Sequence, residues 1–181
     1  MTDLFFEELQ KHLHQGVHKK GHPFRYGVLA TVGLDHLPAL RTVVLRQVSD
    51  QLGLRFYTDA RSRKLEQIKK NNQVSLLFYH PKQLLQVKIE GTARLITDKD
   101  TLQKYWSGVQ PNARKDYSTT AAPGSSISNP DAVTYSAEEN HFTIVEITPT
   151  SIEYLQLKRP NHLRIQFLKN DSTWEGKFLV P

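Results

Sequence analysis

The sequence predicts a mainly β fold with a few inserted helices, and three observations carry that reading. About eight segments of strand length are rich in Val, Ile, Tyr and Phe, and several alternate apolar with polar residues. Most links between them are short, which suits antiparallel pairing, because parallel strands need long crossovers. Helical periodicity is confined to two or three stretches. Together these point to an antiparallel barrel rather than a βαβ fold.

The elements follow in order. Residues Asp3 to Gln15 read as a helix, with Phe5, Leu9 and Leu13 recurring every fourth residue and Gly16 as its stop. The polar "HLHQGVHKKGH" is a loop. "YGVLATV" (Tyr26 to Val32) is a strand that turns at "GLDH", and "PALRTVVLRQV" (Pro38 to Val48) is one long strand rich in β-branched residues. "LGLRFYT" is the next strand. "SRKLEQIKKNN" is a helix with Ser62 as N-cap and Leu65 and Ile68 as its short apolar stripe. "QVSLLFYH" (Gln73 to His80) is a nearly continuous apolar run suited to a buried strand, and Pro81-Lys82 turns the chain into "LLQVKIEGTARLI" (Leu84 to Ile96). A second helix starts after Thr97 or Asp98 and carries Leu102, Tyr105 and Trp106. The polar stretch from Ser107 to Asn140 is longer than compact domains usually allow, so it reads as a lid, a binding loop or a disordered segment. "HFTIVEIT", "SIEYLQL", "HLRIQFLK" and "TWEGKFLV" close the chain as strands, with turns at Pro149 and Asn170-Asp171.

The 181 residues suffice for one domain, 1–181, with its own core, and no internal repeat is visible. Cysteine is absent, which removes disulfides and thiolate metal sites and fits a reducing compartment. No apolar run is long enough to span a bilayer and no signal-peptide pattern opens the chain. These features predict a cytoplasmic protein without membrane contact. The net charge of +6 suits a phosphate-bearing partner. Lys and Arg are scattered among 18 acidic residues, and no RNA-binding signature is present, so nucleic acid is not the expected partner.

Chemistry concentrates in four short segments where strands end: "RTVVLR" (Arg41 to Arg46), "YT" (Tyr57-Thr58), "SRK" (Ser62 to Lys64) and "QVKIEG" (Gln86 to Gly91). Arg63 and Lys64 open a helix, at the end whose partial charge is already positive. A local rule broken without visible compensation points to a functional site. A bound phosphate resolves the conflict, since free N–H groups, two cations and the hydroxyls of Thr58 and Ser62 would all serve it. In a regular strand Arg41 and Arg46 face opposite ways. One ligand reaches both only across a bulge, at the strand edge or between two subunits. Gln86, Lys88 and Glu90 share one face of their strand, and Gln86 points either to a heteroaromatic ligand or to solvent.

His14, His18 and His22 are spaced by four, with His12 near, and such spacing on a helix can share a metal. Gly16 and Gly21 break that helix and no carboxylate lies close, so no metal is expected.

The segments "RTVVLR", "FYTDARSRK" and "VSLLFYHPKQLLQVKIEG" resemble, in order and spacing, the flavin segments of the pyridoxamine 5'-phosphate oxidase family. The similarity is strong over about Leu40 to Ile96 and weaker through the last strands. It implies an FMN-binding split β-barrel of antiparallel Greek-key type, working as a homodimer with FMN at the subunit interface. It implies that Arg41, Thr42, Val43, Val44 and Arg46 line the flavin and its phosphate, that Tyr57 and Thr58 contact FMN, and that Ser62, Arg63 and Lys64 grip the phosphate. Gln86 would touch the isoalloxazine ring, and Ser125 with Ser126 would add a further contact. Arg46 stands where the family often has Lys.

The sequence departs from the family at the substrate. The oxidases hold the substrate phosphate with a Tyr, an Arg and a Ser after the second helix. Tyr105 matches the Tyr, but "SGVQPNA" has no Arg in that place. Their late Arg-x-His pair and flavin Arg correspond here to "HLRIQF", with His162 and Arg164 in swapped order and Gln166 in the Arg position. Leu155 replaces a Trp. The resemblance therefore implies an FMN-dependent oxidoreductase for a small-molecule substrate, phosphorylated or not, whose identity is undetermined. Tyr105, His162 and Arg164 are the candidate substrate contacts. The alternatives are a non-enzymatic flavin-binding or flavin-sensing protein and a nucleic-acid-binding barrel.

Overall fold

Period-two burial along the β-rich segments builds one antiparallel sheet. In the computed structural model, which describes residues 1–181, the elements run α1 (Asp3–His18), β1 (Tyr26–Val32), β2 (Pro38–Val44), β3 (Gln47–Val48), β4 (Leu54–Asp59), α2 (Arg63–Lys70), β5 (Gln73–His80), β6 (Leu85–Ile96), α3 (Lys99–Ser107), α4 (Pro111–Arg114), β7 (Phe142–Gln156), β8 (Leu163–Asn170) and β9 (Thr173–Leu179). Strand order is β2-β1-β5-β6-β7-β4-β3, with β8 also on β7 and β9 on β8, and every pairing is antiparallel. The mainly β reading holds.

The long strand β7 organises the sheet. Its first half pairs β4 and its second half pairs β8, while β6 follows it on the other side. The sheet curls around a core that includes Leu29, Phe56, Leu76, Phe78, Val87, Ile89, Val145 and Ile152. α1 covers one opening of the curl, with Leu9 and Leu13 fully buried. Each such leucine contributes about 1.5–3 kcal/mol of burial. A smaller cluster of Ile96, Val109, Tyr117, Phe142 and Ile144 gathers under α3. No helix is long and apolar enough to cross a membrane.

Four expectations are corrected. Gly16 does not stop α1, which runs to His18. A Cβ at Gly16 would lie 2.5 Å from the Phe24 carbonyl oxygen, so this glycine is a close-approach point for the returning chain. The strand expected from Pro38 to Val48 breaks at Leu45-Arg46. Pro149 marks no turn; β7 runs through it, and the irregularity falls at a register shift opposite Glu90 and Gly91. The proline sits at a bulge, where its missing N–H disturbs no ladder. The run Gln73 to His80 is not buried on both faces, because Leu77 and Tyr79 point outward.

Asp98 caps α3 by accepting from the Thr101 N–H at 2.8 Å. Ser62 precedes α2 but makes no side-chain cap; its hydroxyl donates instead to the Asp59 carbonyl at 2.8 Å. The polar stretch 107–140 carries α4, two short 3₁₀ turns and a bridge between Thr119 and Tyr135.

Candidate functional site

The corner between β4 and α2 is made by buried polar residues. Thr58, Asp59 and Ser62 are each almost fully enclosed. The Asp59 carboxylate accepts from the Arg61 backbone N–H at 2.8 Å and pairs with the Arg61 guanidinium at 2.7 Å. Arg61 in turn donates to the Thr119 and Thr120 carbonyls, at 2.8 and 3.0 Å. This fixes part of the 107–140 stretch beside the corner. Lys64 Nζ donates to Thr58 Oγ1 at 2.8 Å, and the Thr58 and Ser62 hydroxyls are 3.3 Å apart.

Arg41 reaches the same corner from β2. Its guanidinium donates to Thr31 Oγ1 at 2.6 Å, Gln67 Oε1 at 2.8 Å and the Leu29 carbonyl at 3.3 Å. Thr31 also donates to Gln67 Oε1 at 2.7 Å, so one buried amide oxygen on α2 holds both side chains. All of Arg41's acceptors are neutral. Arg41, Thr42, Ser62, Arg63 and Lys64 line an open cavity of about 690 Å³, with Gly124 and the exposed Asp35 at its wall. Burial holds the Arg41 guanidinium below its usual range. Burial, then the Arg41 charge, lowers the Lys64 ammonium, with Asp59 opposing. Asp59 is already paired with Arg61, so the two cations share a wall without a carboxylate of their own. An anion with several acceptor oxygens would relieve both.

The remaining sequence candidates lie elsewhere. Val43 belongs to the core, and Val44 pairs with Tyr26 at the end of β1. Arg46 lies beyond the break after β2, with its guanidinium 5.5 Å from the Tyr57 ring centre and its Nε buried without a partner. Arg46 and Tyr57 therefore meet each other beside the cluster under α3, away from Arg41. Ser125 adjoins Gly124 and lines a neighbouring hollow of the 107–140 stretch, and Ser126 is exposed. Gln86 sits on the outer face of β6 opposite Tyr79 and Leu155, and does not approach the cavity within one chain.

The candidate substrate residues are internally engaged. The Tyr105 hydroxyl donates to Gln47 Oε1 at 2.7 Å and accepts from Arg55 at 2.7 Å. Arg55 also pairs with Glu146, which pairs with Arg94. An arginine thus meets Tyr105 from β4, not from the segment after α3. Arg164 pairs with Glu153 at 2.9 Å, and His162 Nδ1 accepts from the Lys158 N–H at 3.2 Å.

Sequence reasoning missed Gln67, Thr31 and Arg55. Each is set by a contact across the sheet or from helix to strand, and no local pattern marks it. His22 was grouped with His14 and His18, but it meets His12 and His80 instead.

The chain is similar to known proteins along most of its length. The family model for pyridoxamine 5'-phosphate oxidase matches residues 17–156. A pyridoxine/pyridoxamine 5'-phosphate oxidase of Crocosphaera subtropica is 30% identical over 171 residues, covering 84% of this chain and 78% of the relative. One from Thermosynechococcus vestitus is 29% identical over 166 residues, covering 84% and 77%. Among solved structures, a pyridoxamine 5'-phosphate oxidase-related, FMN binding protein of Nostoc punctiforme superposes with a TM-score of 0.79 at 25% identity, over 97% of this chain and 96% of that one. PhzG from Burkholderia lata, solved in complex with tetrahydrophenazine-1-carboxylic acid, shares the fold with a TM-score of 0.77 at 19% identity, over 99% and 91%.

Proposed function

The chain belongs to the pyridoxamine 5'-phosphate oxidase family, and from that premise we propose that it binds FMN and acts as a flavin-dependent oxidoreductase on a small molecule. The observation that carries this is the cation pair of Arg41 and Lys64, which lines a cavity beside Arg63 without a carboxylate partner. A flavin phosphate fits that need. Arg63 and Lys64 would supply charge, Arg41 a planar fork, and Thr58, whose oxygen accepts from Lys64, a hydroxyl donor. The cavity volume of about 690 Å³ is in the range of small-molecule sites. The flavin would supply the two-electron chemistry, and the protein would bind, orient and shield it.

A homodimer accompanies this reading. The outer face of β1, β2 and β5 exposes Tyr26, Val28, Leu40, Leu77 and Tyr79, and Gln86 continues the same face. An apolar sheet face of that kind fits a second copy of the chain. Such a dimer is the route by which Gln86 would reach a flavin held at the Arg41 cavity of the other subunit. Arg46 Nε, buried and partnerless, is a further donor for a ligand or a partner.

Tyr105, His162 and Arg164 are tied up by Arg55, Lys158 and Glu153. That arrangement favours a substrate not gripped through the oxidases' phosphate contacts. It also supports a second reading, a flavin-binding protein without turnover. The visible spectrum of the purified protein, repeated after adding FMN and desalting, tests binding. A retained flavin spectrum supports the assignment and its absence refutes it. Reduction of the bound flavin and reoxidation by oxygen then separate an enzyme from a passive binder.

A further inference from the structure

Three imidazoles from distant parts of the chain converge away from the Arg41 cavity. His12 lies on α1, His22 precedes the short 3₁₀ turn Pro23–Arg25, and His80 ends β5. One nitrogen from each falls within 4.8 Å of the others. The ring centres are 5.4 Å apart for His12 and His22, 5.3 Å for His12 and His80, and 5.7 Å for His22 and His80. His12 Nδ1 and His22 Nε2 are 3.2 Å apart. Three imidazoles on one tetrahedral ion, with metal–nitrogen bonds near 2.05 Å, place their nitrogens about 3.3 Å and their ring centres about 5.2 Å from one another. The ring-centre spacings lie within about 0.5 Å of that geometry, and the His12 Nδ1–His22 Nε2 distance matches its nitrogen spacing.

We propose that His12, His22 and His80 form a binding site for a divalent transition metal of the zinc class, with a solvent molecule as fourth ligand. His12 and His22 are buried and His80 is half-buried, so one side stays open to water. Three histidines with an open position suit zinc-like ions, which accept imidazole nitrogen without a demand for thiolate.

The surroundings of His12 support the assignment. Its Nδ1 lies toward His22 Nε2, and its Nε2 lies 3.7 Å from the Glu8 carboxylate. Glu8 accepts from the Tyr154 hydroxyl at 3.0 Å. A carboxylate behind a ligating histidine fixes its tautomer and raises its basicity. The His12 and His22 rings are both enclosed by the fold, and the neutral imidazole is the form that ligates. His22 exchanges two hydrogen bonds. Its Nδ1 accepts the Phe24 N–H at 3.1 Å and its Nε2 is in hydrogen-bond contact with His12 Nδ1 at 3.2 Å, so binding through Nε2 moves the ring proton to Nδ1 and gives up both for metal bonds.

The site would join α1, the first turn and the end of β5. Metal should therefore raise the thermal stability as well as bind. The test is a Zn²⁺ titration of the chelator-stripped full chain by calorimetry, with parallel melting curves. The expected result is one ion per chain, a dissociation constant in the micromolar range or tighter, and a higher Tm. His80→Gln, at the half-buried member, should weaken binding about tenfold or more while leaving the circular dichroism spectrum intact. His22→Gln should do the same. A His14→Gln, His18→Gln double variant on the outer part of α1 should bind as the parent does. No saturable binding up to about 100 μM Zn²⁺, a concentration that would reveal even a weak site, would overturn the proposal. So would binding that survives in His80→Gln and disappears in the His14, His18 variant.

Discussion

Gln67 holds Arg41 in place: its buried Oε1 lies 2.8 Å from an Arg41 guanidinium nitrogen and also accepts from Thr31 at 2.7 Å. The cavity cation is therefore aimed by α2, the same helix whose first residues line that cavity. A change at Gln67 should be read at the ligand and not only in stability.

Gln67→Leu removes the acceptor and leaves Arg41 to find another. A hydrogen bond to a charged group contributes roughly 1.5–3 kcal/mol. FMN affinity, followed by quenching of flavin fluorescence, should fall about tenfold or more. Thr31→Val, which keeps Gln67 on Arg41, should cost less. Equal affinities for Gln67→Leu and the parent would remove Gln67 from the site.

Lys64 is half-buried, and burial and Arg41 both disfavour its charge. Lys64→Met should raise the Tm of the flavin-free protein and weaken FMN binding at the same time. Stability and function oppose each other where a site holds unpaired charge. A lower Tm in the flavin-free variant would contradict the picture of a strained cation awaiting an anion.

Glu146 gives a pH dependence. Burial pushes its carboxyl up, but hydrogen bonds from Arg94 and Arg55 outweigh burial and hold it below the usual carboxylate value. The folded pKa is thus below the unfolded one. The associated stability is present above about pH 4.5 and is lost as pH falls through the folded value, because the unfolded chain takes up the proton first. Glu146→Gln should flatten acid unfolding in that window and lower stability at neutral pH. Parallel acid curves for variant and parent would refute the linkage.

Gly91 sits at the register shift where β6 crosses the Pro149 bulge, and a Cβ there would lie 2.2 Å from the Thr148 carbonyl oxygen. Gly91→Ala should destabilise by about 1–3 kcal/mol or more, since backbone and not a flexible side chain must yield. Unchanged thermal unfolding would mean that the strand slips freely past the bulge.

The parts legible in the sequence were those written in local periodicity. The β-rich pattern gave the strands, Asp98 gave the start of α3, and the misplaced cations Arg63 and Lys64 pointed to the cavity that Arg41 also lines. What local pattern could not carry was closeness across the fold. Pro149 looks like a turn until β6 is laid beside it, and Gly16 looks like a stop until Phe24 packs on it. The triangle of His12, His22 and His80 joins residues far apart in sequence, from α1 to the end of β5, so no spacing rule finds it. Arg41 and Arg46 do not share one strand: β2 ends at Val44, and the break at Leu45-Arg46, not strand alternation, gives each its own neighbours.

The central claim is that the cations at the α2 corner hold a flavin phosphate. The direct test is to titrate the parent and an Arg63→Ala, Lys64→Ala double variant with FMN and with riboflavin, which lacks the phosphate. The account predicts that the parent binds FMN about 100-fold or more tightly than riboflavin, as several charge-assisted hydrogen bonds would require. It predicts that the double variant loses most of that preference. Equal affinity of the parent for FMN and riboflavin, or a preference untouched in the double variant, would contradict it.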